Sequence, residues 1–74
     1  MRVNDEEVIL IRKCSQTMIA LITSSRIRIL GEDLQNIVAE YSTSGITLAS
    51  VEQEIILICA EGNKLMAFDA NNIS

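Results

Sequence analysis

The stretch Gln16-Thr17-Met18-Ile19-Ala20-Leu21-Ile22-Thr23-Ser24-Ser25 returns as Gln53-Glu54-Ile55-Ile56-Leu57-Ile58-Cys59-Ala60-Glu61-Gly62 at an offset of 37 residues. After one inserted residue, Asn63, the match resumes at an offset of 38, where Arg26-Ile27-Arg28-Ile29-Leu30 faces Lys64-Leu65-Met66-Ala67-Phe68. Each copy places a polar turn, Ser24-Ser25 or Glu61-Gly62-Asn63, between two short β-branched bursts, which is the pattern of a hairpin. The bursts are too brief for helices, which need roughly ten to twelve residues. A period of about 40 residues, holding strand, turn, strand and an outer polar strand, is that of a β-propeller blade. Two unrelated hairpins of similar chemistry would produce a comparable match.

The pattern extends outward from the repeat. Further bursts occur at Val8–Ile11 and Ile46–Val51, and isoleucine dominates nearly all of them. Val51-Glu52-Gln53-Glu54 reads as a third, looser turn. The stretch from Glu32 to Tyr41 reads two ways. Leu34, Ile37, Val38 and Tyr41 fall at helical spacing behind a capping Asp33, yet Asn36–Tyr41 also suits a strand at the outer edge of a sheet. Strands on both sides favour the strand. Met18–Ile22 and Ile55–Ala60 are apolar on both faces, so both faces require cover. The expected architecture is all-β, with antiparallel strands forming parts of two consecutive WD40-like propeller blades. Residues 1–15 form an N-terminal segment with a first short strand, 16–44 one partial blade and 45–74 the next. In a propeller the inner strands of each blade lie between neighbouring blades, and two incomplete blades cannot supply that cover alone.

Composition narrows the function. The 74 residues allow one small domain or a piece of a larger one, and a chain this short buries only about 60% of its unfolded surface. With 49% apolar and 22% charged residues it is too hydrophobic for a disordered segment. Ten acids against six bases give a net charge of −4, the wrong sign for holding a phosphate backbone, and the only aromatics are Tyr41 and Phe68. Nucleic-acid binding by this segment is not expected. The acidic start, Asp5-Glu6-Glu7, does not read as a signal peptide, and the longest apolar run, Ile55–Ala60, is far short of a membrane span. A soluble protein of a reducing, intracellular compartment is expected. Histidine is absent, and Cys14 and Cys59 cannot close a four-ligand zinc site within one chain. Cys59 reads as a small buried hydrophobe.

One family carries this order of segments. Thr23-Ser24-Ser25-Arg26-Ile27-Arg28-Ile29-Leu30, then Ile37-Val38-Ala39-Glu40-Tyr41, Ile46-Thr47-Leu48-Ala49-Ser50-Val51 and Glu54-Ile55-Ile56-Leu57-Ile58-Cys59-Ala60-Glu61-Gly62 resemble the large three-propeller scaffold proteins. These group the damaged-DNA-binding protein large subunit, the cleavage and polyadenylation specificity factor large subunit and the splicing factor 3b propeller subunit. The likeness covers Thr17 to Asp69, at the C-terminal part of the second propeller. Arg28 matches a basic residue on the outer side of the family's hairpin. Tyr41 stands where an aromatic, often tryptophan, follows a glutamate. The resemblance implies a nuclear, non-catalytic scaffold in ubiquitin ligation for DNA repair, mRNA 3′-end processing or splicing. Its partners would be other propeller blades or protein subunits. The family's members are far longer than this chain and hold three closed propellers, so no binding residue is carried over.

The residues offer little chemistry. Asp5-Glu6-Glu7 reads as a solvated end, and Glu32, Asp33, Glu52 and Glu54 lie in expected turns with no base or nucleophile beside them. Gly31, Gly45 and Gly62 read as turn residues of positive φ, and Ser24 and Ser25 as turn formers. No catalytic, cofactor-binding or metal site is expected, nor a small-molecule substrate. The one candidate partner-facing surface is Arg26, Arg28 and Lys64, on related positions of the two hairpins, where bases also guard sheet edges. The alternative to a scaffold segment is a self-contained small β-domain that homo-oligomerises as a regulatory or structural subunit.

Overall fold

The β-branched bursts form the strands expected of them. The structure, a computed structural model, describes residues 2–3 and 6–72, and over those residues it contains strands and turns but no helix. The strands are β1 (Arg2–Val3), β2 (Glu6–Lys13), β3 (Met18–Thr23), β4 (Arg26–Gly31), β5 (Ile37–Ser42), β6 (Leu48–Glu52), β7 (Ile55–Ala60) and β8 (Lys64–Asp69). They form a five-stranded sheet in the order β1-β2-β3-β4-β5 and a three-stranded sheet in the order β6-β7-β8. All pairings are antiparallel between sequence neighbours. The N-terminal strand is longer than Val8–Ile11. β2 pairs along β3 from Val8↔Thr23 to Lys13↔Ile19, so residues before Cys14 belong to the first sheet.

The Glu32–Tyr41 stretch resolves into a loop and a strand. Asp33 does accept hydrogen bonds from backbone N–H groups, those of Gln35 and Asn36, but they close a turn, and Leu34 adopts φ 64°, outside the helical region. Two-rung closure by Gly31 N–H to Asn36 O and Leu34 N–H to Gly31 O then delivers the chain to β5. β5 pairs with β4 through Ile27↔Tyr41 and Ile29↔Ala39, with an irregularity between Ile29 and Leu30.

The core lies between the two sheets. Strand alternation sends Ala20 and Ile22 of β3, and Ile27 and Ile29 of β4, toward Val51, Ile56 and Ile58 of the second sheet. Ile22, Ile27, Ile29 and Ile56 are fully buried, each contributing about 1.5–3 kcal/mol of apolar burial. Tyr41 and Phe68 close one flank, their ring centroids 4.8 Å apart at 48°, a tilted aromatic pair. Cys14, in the β2–β3 turn, is buried in the same cluster, and burial pushes its thiol above the usual range.

The connection from β5 to β6 fixes how the sheets meet. Thr43 N–H donates to Ser25 O and Ile46 N–H to Ser24 O, so the β3–β4 turn anchors the crossing segment. Further along, Glu61 N–H donates to Ser44 O and Ser44 Oγ to Glu61 Oε2 at 2.8 Å. Gly45, at φ 72°, lies so close to Glu61 that an added Cβ would stand 2.7 Å from the Glu61 Cβ. Gly31 departs from expectation, as it ends β4 opposite Met18 without a positive φ.

Candidate functional site

The internal repeat is also a repeat of pairing. Ile19↔Leu30, Ala20↔Ile29, Leu21↔Arg28 and Ile22↔Ile27 in the first sheet become Ile56↔Phe68, Leu57↔Ala67, Ile58↔Met66 and Cys59↔Leu65 in the second. The offsets of 37 and 38 residues therefore superpose one hairpin register on the other. Residues directly opposite share a face, so the equivalence can be followed face by face.

The faces used are opposite ones. In the first sheet Ala20, Ile22, Ile27 and Ile29 are covered by the second sheet; their equivalents, Leu57, Cys59, Leu65 and Ala67, lie on the uncovered side of the second. Conversely, Ile56, Ile58 and Phe68 pack into the core, while their equivalents Ile19, Leu21 and Leu30 lie on the outer side of the first sheet. The two sheets are stacked head to tail, and each has a side that the other does not cover; on the first sheet that side mixes buried Leu21 and Leu30 with the charges of Arg26, Arg28 and Glu40. On the second sheet that face leaves Leu48 69%, Leu57 42% and Leu65 79% exposed. On the first it includes Ile11, across from Leu21, and Ile37, across from Leu30. Scattered exposed leucines are ordinary on a protein surface, whereas Leu48 and Leu65 stand on either side of Cys59 in one cross-strand row.

Charges on the outer side of the first sheet are tied to one another. Arg28 Nε donates to Glu40 Oε2 at 2.6 Å, directly across β4 and β5, and its side chain is only 11% exposed. Arg26 lies 3.5 Å from Glu6 and 3.8 Å from Glu40. Glu6 also accepts hydrogen bonds from Ser25 Oγ and, at 2.6 Å, from Thr23 Oγ1. The Ser25 and Thr23 hydroxyls, with help from Arg26 and Arg28, hold the Glu6 carboxyl below the ordinary glutamate range. Thr23, itself buried, uses the same Oγ1 to accept from Arg26 N–H at 3.1 Å. This locks a two-residue turn whose serines do not take the positive φ usual in short hairpins.

Arg26 and Arg28 thus share one face of an interior strand. Lys64 is not brought to them. It stands opposite Ala60 on β8 and lines a cleft with Tyr41, Ser44 and Gly62. A second cleft, of about 670 Å³, opens where the end of β2 meets β6, with Arg12 and Lys13 beside Ser50, Glu52 and Leu57. Glu6 is the residue whose role sequence reasoning missed. Within Asp5-Glu6-Glu7 it looks solvated, and only the pairing of β2 with β3 shows that it sits against Thr23 and Ser25; Asp5 lies outside the described residues. Cys59 is half-buried on the open face of the second sheet, not enclosed. No family model matches the chain, and no curated protein or solved structure matches it either.

Proposed function

We propose that this chain is a non-catalytic scaffold segment: parts of two consecutive β-propeller blades whose work is sheet-on-sheet packing and protein interaction. The observation that carries the reading is the head-to-tail use of faces. A stack in which one face of each unit meets the opposite face of the next leaves an open face at both ends, and it is completed only by further units. Propellers complete such stacks by closing the ring. Two features support this architecture over a simple sandwich. The meander β2-β3-β4-β5 has the four strands of a blade, and the strands that would be innermost, β2 and β6, meet each other.

The likeness to the three-propeller scaffolds gives this role its setting, the assembly of nuclear complexes of DNA repair, mRNA 3′-end processing or splicing. Partners are neighbouring blades or protein subunits. Arg26, with its side chain 40% exposed, is the basic group most available on the outer side of the first sheet to an acidic partner. The test is the size of the product that carries this sequence in cells, read with an antibody to Glu32–Ser44 on a denaturing gel. The reading expects a band many times larger than 8.2 kDa. A band at 8.2 kDa alone would contradict it.

A further inference from the structure

The two open faces are complementary in kind. The uncovered side of β6–β8 repeats, position for position, the face that the first sheet already buries: Leu57 stands for Ala20, Cys59 for Ile22 and Leu65 for Ile27. The outer side of β2–β5 repeats the face that receives it, with Ile19 for Ile56, Leu21 for Ile58 and Leu30 for Phe68; Leu21 and Leu30 are already buried within the chain, and Ile11, Ile19 and Ile37 are the apolar residues left accessible there. One chain therefore carries both halves of an interface whose geometry is already realised inside it.

We propose that the open face of β6–β8 in one copy docks on the open face of β2–β5 in a second copy, continuing between chains the stacking that joins the two sheets within one. The inference rests on the stacked-sheet reading and specifies what covers the ends when the 74-residue chain is alone. Pairing of like faces, Leu57 toward Leu57, has no counterpart within the chain. The head-to-tail contact does, in the core that Ala20, Ile22, Ile27 and Ile29 share with Ile56 and Ile58. The outer side of β2–β5 also carries charge, Arg26 tied to Glu6 and Glu40, and Arg28, which stands where the second sheet has Met66. The Arg28 guanidinium already bonds Glu40 at 2.6 Å, so covering this face does not bury an unpaired charge. A heterologous contact of this kind does not stop at a dimer. It closes as a ring or continues as an open array.

Sedimentation of the purified chain and two variants tests the proposal. The wild-type protein should associate with rising concentration beyond a dimer. Leu57→Arg blocks one face and Ile19→Arg the other, so each alone should weaken self-association by at least about tenfold, as expected when a charge enters an apolar contact. Mixed together they retain one good face each and should form a 1:1 heterodimer and nothing larger. Leu65→Arg and Ile37→Arg, at more exposed sites of the same faces, repeat the test should either first variant lose its β-sheet circular dichroism. Association abolished by the β7 variant and untouched by the β3 variant would overturn the head-to-tail proposal in favour of like-face pairing, with the interaction reading intact. A wild-type chain that stays a cooperatively melting monomer at all concentrations would overturn both.

Discussion

Gly45 is held by two constraints at once, a positive φ of 72° and Glu61, whose Cβ and Cα would stand 2.7 and 3.0 Å from a Cβ added there. A methyl group there must displace a neighbouring strand end, and the left-handed backbone adds about 1 kcal/mol for any L side chain. Gly45→Ala is therefore expected to destabilise the fold by about 2–4 kcal/mol in a denaturant titration, whereas Gly62→Ala, with nothing near its missing Cβ, should cost about 1 kcal/mol. Glu6 sets the acid limit of the first sheet. Its folded carboxyl titrates below the ordinary glutamate value of 4.5, so the unfolded chain binds the proton first as pH falls. The stabilisation is complete above that ordinary value and is lost as pH drops through the lower, folded one. Melting temperature should accordingly decline on acidification below pH 4.5, and Glu6→Gln should flatten part of that decline. Asp33, held low by the Gln35 and Asn36 N–H groups, contributes the same sign and should leave a residual slope.

At the level of strands, much was legible and the reasons are local. The β-branched bursts, the Ser24-Ser25 and Glu61-Gly62-Asn63 turns and the edge strand that contains Tyr41 all follow from propensity, turn chemistry and run length. What was illegible depends on contacts between elements. β7 is apolar on both faces, so its sequence cannot say that Ile56 and Ile58 are covered while Ile55 and Leu57 are open. Likewise Arg28 and Lys64 occupy equivalent hairpins, yet the opposed stacking of the sheets sends them to different sides, one beside Glu40 and the other beside Ala60. The acidic N-terminal run gives no sign that Glu6 will sit under a turn 17 residues away. The face assignment has a direct energetic consequence. Ile56→Ala should cost about 2–5 kcal/mol, the usual range for a fully buried isoleucine, and Ile55→Ala, half exposed beside it, less than about 1 kcal/mol in dilute protein. Equal costs would mean that both sides of β7 are covered.

For the molecule as a whole, the central claim is that two like sheets share one core and present opposite faces to the outside. The two cysteines report on that arrangement without any substitution. Cys14 is enclosed in the shared core with its thiol pushed up, while Cys59 lies on the open side of the second sheet. Native-state thiol labelling, resolved by peptide mass, should modify Cys59 more than about tenfold faster than Cys14, whose reaction must wait for the sheets to separate. The labelling of Cys59 should also slow as protein concentration rises, as the face of β6–β8 is covered by another copy. Equal rates at Cys14 and Cys59, or a faster Cys14, would contradict the stacking of the two sheets on which the account rests.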